Sequence, residues 1–244
     1  MWDDPRRLNI LTGVITTLAA VILLAAAVSW TIRQSVFGIH RVTVVDKLTH
    51  VNPAHLEAVV REELRGTFFT MNLGSARAAL QRVPWVRTIA LRRHWPDRLE
   101  LSVIEHDPLA RWNDGGLIDT TGEVFNANYD GELPLFEGPE GTASQVTERF
   151  ADFSSALRPI GLSLTEIHLS ARGGWQIRTR SGLTLALGRN GALDRLTRFA
   201  AFHARSIARL ERSGTAVDYV DLRYSNGFAV RVPGFKERAA RKLG

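Results

Sequence analysis

The chain reads as an α+β protein, with a single N-terminal transmembrane helix, a small βααββ module and an antiparallel β-sheet domain with helices on one face. Three observations predict this. An uncharged apolar run opens the chain, and apolar residues then recur at helical spacing between blocks of alternating residues. The C-terminal half is built of short alternating runs parted by Gly-containing turns.

From Leu8 to Ile32 the 25 residues LNILTGVITTLAAVILLAAAVSWTI contain no ionisable side chain. At about 1.5 Å rise per residue this is roughly 37 Å of helix, enough to cross a bilayer core. Only residues 1–7 precede it, with Arg6 and Arg7 next to the span, so the globular remainder is expected to be translocated and 1–7 to stay cytoplasmic. The run exceeds the roughly 7 to 15 residues of a signal-peptide apolar region, which favours an uncleaved anchor at 8–32 over cleavage near Ala27-Val28-Ser29. Residues 33–37 are a juxtamembrane linker.

Residues 38–106 form the small module. IHRVTVV (39–45) is rich in β-branched residues and reads as a strand. Over 52–66, Asn52 is placed to cap, Pro53 to open and Gly66 to stop a helix with Leu56, Val59, Val60 and Leu64 on its apolar face. A shorter helix from about Ser75 has Leu73, Ala76, Leu80 and Val83 on its apolar side. WVRTIALRRHW and RLELSVIE then flank Pro96-Asp97 as a hairpin, in which Leu99, Leu101 and Val103 alternate with Glu100, Ser102 and Ile104.

Residues 107–234 form the sheet domain, followed by a charged tail at 235–244. Leu117-Ile118-Asp119 and Glu123-Val124-Phe125 flank a Thr120-Thr121-Gly122 turn, while YDGELPLFEGPEGT (129–142), dense in Gly, Pro and acids, reads as loop. A helix is expected over about 144–157 and strands at 165–170, 175–179 and 183–187. One long helix over 192–214 places Leu193, Leu196, Phe199, His203, Ile207 and Leu210 on one stripe and stops at Gly214. Short turns between strands imply antiparallel pairing.

The last stretch, YVDLRYSNGFAVRV (219–232), reads as a hairpin turning at Ser225-Asn226-Gly227. Its second arm is expected at a sheet edge, where unpaired N–H and C=O groups either need guarding or invite a partner strand. Tyr224 and Phe228 are then either aromatic anchors for that partner or core residues, and Arg223 and Arg231 either pair with a partner's acids or guard the edge by charge.

Composition bounds the function. The net charge of +6 is carried almost wholly by arginines spread along the chain, which reads as a solvated basic surface rather than a nucleic-acid site. The absence of cysteine removes thiol nucleophiles, disulfides and Cys-ligated zinc. Glu105-His106-Asp107 ends a strand, where alternation parts the acids from the histidine. His50 and His55 are five apart, not at the i, i+4 spacing of a helical metal site. The acidic loop at 128–140 pairs no nucleophile with a base. No enzymatic activity, catalytic residue, cofactor or metal site is expected.

The anchor, then VPWVRTIALRRHWPDRLELSVIEHDPLARW (83–112), LIDTTGEVF (117–125) and YVDLRYSNGFAV (219–230), resemble in order and over essentially the whole chain the FtsQ/DivIB family of bacterial cell-division proteins. The resemblance implies that 38–106 is a polypeptide-transport-associated (POTRA) domain and 107–234 the family's β domain. It implies a non-enzymatic scaffold at the division septum, single-pass type II in the inner membrane with both domains periplasmic, linking early and late division proteins. The implied partners are the coiled-coil membrane proteins FtsB and FtsL, with FtsK, FtsW and FtsI among the other divisome proteins. In this family FtsB adds a strand to the last β-domain strand. On the matching positions the partner-binding residues here are Arg223, Tyr224, Ser225, Asn226, Gly227, Phe228, Ala229 and Val230. ARGGW (171–175) resembles the family's basic-aromatic segment, which puts Arg172 beside the partner's acids, and Phe228 stands where other members carry a smaller residue. The alternative is a POTRA-containing periplasmic adaptor that binds extended polypeptides in membrane protein assembly or secretion. Such machines continue into a β-barrel, and no run of lipid-facing strands follows here.

Overall fold

A computed structural model describes residues 5–63, 66–212, 214–224 and 226–233, in two compact units that divide between Glu105 and His106. The first contains helix α1 (Pro5–Ile32), strand β1 (Arg41–Val44), helices α2 (Pro53–Glu63) and α3 (Leu73–Leu80), and strands β2 (Val86–His94) and β3 (Arg98–Glu105). Over Asn9–Ile32, α1 is apolar, unburied and long enough to cross a membrane. The βααββ order is the expected one. Leu64 and the tail beyond Pro233 lie outside the described residues.

Its sheet runs β1-β3-β2, with β1 parallel to β3 and β2 antiparallel to it. Leu56 and Val60 of α2, Ala76 and Leu80 of α3, and Ile89, Leu99, Leu101 and Val103 of the sheet are its buried core. Both helix starts are capped by asparagine: Asn52 Oδ1 accepts the Ala54 N–H at 2.9 Å, and Asn72 Oδ1 accepts those of Gly74 and Ser75.

A carboxylate closes this unit. At the end of β3, Glu105 accepts the N–H groups of Thr49, His50 and Val51 at 2.8 to 3.2 Å. Burial pushes its carboxyl up, but the bonds from Val51, Thr49 and His50 outweigh this and hold it below its ordinary value. The stabilisation is therefore present above the unfolded value, about pH 4.3, and is lost as pH falls through the folded one. Glu105→Gln is expected to destabilise the unit by about 1–3 kcal/mol near neutral pH, read from urea unfolding.

The second unit contains β4 (Pro108–Trp112), β5 (Gly116–Asp119), β6 (Val124–Phe125), β7 (Leu135–Glu137), α4 (Ala143–Leu157), β8 (Leu164–Leu169), β9 (Trp175–Thr179) and β10 (Thr184–Gly188). It ends with α5 (Ala192–His203), α6 (Ile207–Arg212), β11 (Tyr219–Asp221) and β12 (Ala229–Arg231). The described strands form a nine-stranded sheet in the order β12-β11-β10-β9-β8-β7-β4-β5-β6. Helices α4 and α5 pack on each other and over β8 and β10, and Val146, Phe153, Leu157, Leu196 and Phe199 join Ile167, Ile177 and Leu185 in one core.

Three expectations are corrected. The sheet is mixed rather than wholly antiparallel: β7 runs parallel to both β4 and β8, and β10 runs parallel to β11. The β7–β8 and β10–β11 connections pass through α4 and through α5–α6, and such helical crossovers are what parallel neighbours require. Residues 135–137, expected as loop, form a strand in the interior of the sheet, with Phe136 opposite Trp112 and Ile167 and fully buried. The helix expected over 192–214 breaks after His203, where the Arg205 N–H donates three residues back to the Phe202 carbonyl and the Ser206 N–H is shared between the Phe202 and His203 carbonyls. Its apolar stripe continues across the break to Ile207, which is buried, but not to Leu210, which is exposed.

Candidate partner-binding site

Strand β12 ends the sheet order. It pairs antiparallel with β11, Val220 opposite Val230, and among the described residues no strand pairs with its outer side. The two arms are joined by residues 222–228 rather than by a tight turn at Ser225-Asn226-Gly227, and Ser225 itself lies outside the described residues. Leu222 stays buried and donates its N–H to the Ala186 carbonyl at 2.9 Å, extending contact with β10 past the end of β11.

The two aromatic candidates part company at this loop. Phe228 is half-buried against the core and meets Phe199 of α5 edge to face at 5.9 Å. Tyr224 is 57% exposed. Tyr224, Asn226, Gly227, Phe228 and Ala229 line an open depression of about 450 Å³ beside the edge. Val230 of β12 is half-buried against the core, and Ala229 is exposed.

The arginines are engaged within the chain. Arg223 clasps the buried Asp221 through Nε and Nη2 at 2.6 to 3.0 Å. That side-chain bond outweighs burial and holds the Asp221 carboxyl below its ordinary value. Arg231 donates from Nε to Asp218 at 3.0 Å and lies 5.1 Å over the Tyr219 ring. Both therefore carry an acid of their own into any partner contact.

Arg172 is exposed in the β8–β9 turn. It shares an end of the sheet with Arg223: Trp175 pairs with Gly188, and the Arg223 side chain lies over Gly188. A Cβ at Gly188 (φ +76°) would meet Arg195 Nη1 at 2.7 Å and Arg223 Cγ at 3.1 Å, so only glycine lets both arginines cross there. Strands β10 and β11 separate β9 from β12, roughly 14 Å at the usual spacing. The structure thus gathers residues 223–230, apart from undescribed Ser225, and leaves Arg172 outside the depression.

Sequence reasoning missed Arg198. Its Nη2 donates to the Tyr224 carbonyl at 3.1 Å, so α5 pins the loop through Arg198 and through Phe199. The only local signal is that Arg198 adjoins an apolar-stripe residue of a helix; its partner lies 26 residues on.

His106 and Asp119 form a second polar group. His106 Nδ1 and Asp119 Oδ2 are 2.8 Å apart and buried, and the imidazole stacks on Phe125 at 4.1 Å. Asp119 Oδ1 accepts the Thr121 N–H and hydroxyl and the Glu123 N–H. With Glu123 these side chains bring ligand atoms within 4.8 Å, but both Asp119 oxygens already serve hydrogen bonds, so the arrangement works as a turn-organising hub. Glu105 and His106 engage different partners, as strand alternation implies.

Burial pushes the Asp119 carboxyl up, and the bonds from Thr121, His106 and Glu123 more than offset this, leaving it below its ordinary value. Its stabilisation is present above about pH 3.9 and fades as pH falls through the folded value. Asp119→Asn should cost about 1–3 kcal/mol near neutral pH. Melting curves of both proteins across a pH series should converge in acid.

Comparison with known proteins adds a decisive match. The family model for the FtsQ-type POTRA domain matches residues 37–106, and that for the C-terminal part of cell division protein FtsQ/DivIB matches residues 110–223. The chain belongs to the FtsQ/DivIB family. A relative named cell division protein FtsQ from Burkholderia pseudomallei is 36% identical to this family member over 240 residues, covering 97% of this chain and 96% of the relative. One of the same name from Nitrosospira multiformis is 36% identical over 236 residues, covering 95% and 99%. The Escherichia coli protein of that name is 33% identical over 170 residues, covering 68% and 62%.

Proposed function

We propose that this FtsQ/DivIB-family protein is a non-enzymatic scaffold of the division septum, acting between early components such as FtsK and late ones such as FtsW and FtsI. Helix α1 anchors it in the inner membrane with 1–7 cytoplasmic, and the POTRA domain (38–106) and β domain (107–234) lie in the periplasm. Its β domain captures the coiled-coil pair FtsB/FtsL by accepting a strand along β12. The observation that carries this reading is that β12 ends its sheet beside the depression lined by exposed Tyr224.

Four or five new backbone bonds, at about 0.5–1.5 kcal/mol net each, give only a few kcal/mol, which association and ordering can cancel. Side chains must supply the surplus. Tyr224 is the aromatic anchor, Phe228 and Arg198 hold the loop that presents it, and Arg172 is the cation available to an acidic partner residue.

Site-specific photocrosslinking in growing cells tests this, with the probe in turn at Tyr224, Asn226, Ala229, Arg231 and the exposed control Glu132. Adducts to FtsB confined to the strand and its loop are expected. A protein that still reaches the septum but gives no adduct from these positions would refute the site.

A further inference from the structure

The first unit carries a surface that the partner site does not use. Several ties hold one end of its sheet against the end of α1. Thr67 Oγ1 donates to the carbonyl of Ile32, the last residue of the helix, at 2.6 Å. The Phe68 N–H donates to the Phe37 carbonyl at 2.7 Å, and Gly38 bridges to Thr67. The N–H groups of His40 and Arg41 both donate to the Asp97 carbonyl, which brings the β2–β3 turn to the same place. Arg93 Nη2 donates to the Met71 carbonyl at 2.6 Å, joining the end of β2 to the 66–71 loop.

Large apolar side chains stand open to solvent at this end. Val36 is 79% exposed, Trp95 75% and Phe69 47%, whereas the core of the unit is fully formed without them. Trp and other aromatic rings at the end of a membrane span are characteristic of the bilayer interface, and Trp30, near the end of α1, marks that level. Arg33 and Arg98, each three residues along the chain from Val36 and Trp95 respectively, are exposed. The nearby acids Asp97 and Glu100 face His40 and His94. The surface is thus apolar at its centre and basic at its margin, which suits anionic headgroups.

We propose that this end of the POTRA domain is a lipid-contact surface, with Val36, Phe69 and Trp95 in the interfacial layer of the leaflet from which α1 emerges and Arg33 and Arg98 against its anionic phosphates. The inference rests on α1 being a membrane anchor. The occupant is the bilayer because the surface is continuous with the span: Thr67, two residues from Phe69, is one hydrogen bond from the helix end. The domain is then tethered to the membrane by the helix and by its own face.

The chain has no cysteine, so single-cysteine labelling is direct. The full chain carrying Val36→Cys, Phe69→Cys or Trp95→Cys, each labelled with an environment-sensitive fluorophore, is reconstituted into vesicles of phosphatidylethanolamine and phosphatidylglycerol. Leu18→Cys reports the middle of the span. Ile104→Cys, 48% exposed and about 20 Å further along β3 than Arg98, reports the opposite end of the sheet. A blue shift and loss of emission with brominated phospholipid are expected at 36, 69 and 95, and neither at 104. If 36, 69 and 95 behave as 104 does while 18 is quenched, the anchor stands and the surface faces water or protein, which overturns the proposal. If 18 is also unquenched, the anchor reading fails and the proposal falls with it.

Discussion

Phe136→Ala is expected to destabilise the β domain by about 3–5 kcal/mol, the largest stability loss foreseen for a single substitution in this chain. Phe136 has no solvent exposure, sits on an interior strand between β4 and β8, and packs against Phe150 with ring centroids 4.8 Å apart. Truncation leaves a cavity that flanking strands cannot close without giving up their pairing with β7. Urea unfolding monitored by tryptophan emission measures the loss, because Trp112 lies in register with Phe136. A change below about 1 kcal/mol would show that β7 is an ornament of the sheet rather than its interior.

Tyr224→Ala is expected to do the reverse, leaving stability near that of the parent and weakening capture of FtsB/FtsL by roughly tenfold or more. The ring is exposed and contributes little to the core, but it borders the edge where a strand would add. Phe228→Ala separates the roles, since Phe228 leans on Phe199: it should lower both the melting temperature and capture. Titrating the purified full-length variants in detergent with the FtsB/FtsL complex, alongside their melting curves, decides the matter. Unchanged affinity in Tyr224→Ala would remove this residue from the interface.

Much of the fold is legible locally. Asn52, Pro53 and the Leu56, Val60 face write α2 without tertiary context, and the alternation through Leu99, Leu101 and Val103 writes β3 and its buried side. These elements match residue types to periods of 3.6 and 2, so a window of the chain contains the signal. Residues 135–137 do not: three residues between Pro134 and Gly138 are too few for a period, and their pairing partners are at 111–112 and 166–168. Likewise the apolar spacing from Leu193 to Ile207 is helical throughout, and the break shows only in the backbone bonds, where the Arg205 and Arg209 N–H groups donate three residues back, to Phe202 and Ser206.

The candidate site shows the same division. By itself the sequence determined the apolar N-terminal span, the two modules, the family and the stretch in which a strand edge would lie, because composition, periodicity and ordered motifs are properties of the chain. Only the tertiary structure decided that β10 and β11 run parallel, that Arg223 and Arg231 are held by Asp221 and Asp218, and that Phe228 turns inward while Tyr224 stays out. Those outcomes depend on which neighbour each side chain meets, and α5, β10 and the 222–228 loop meet only after the whole domain has closed around one core.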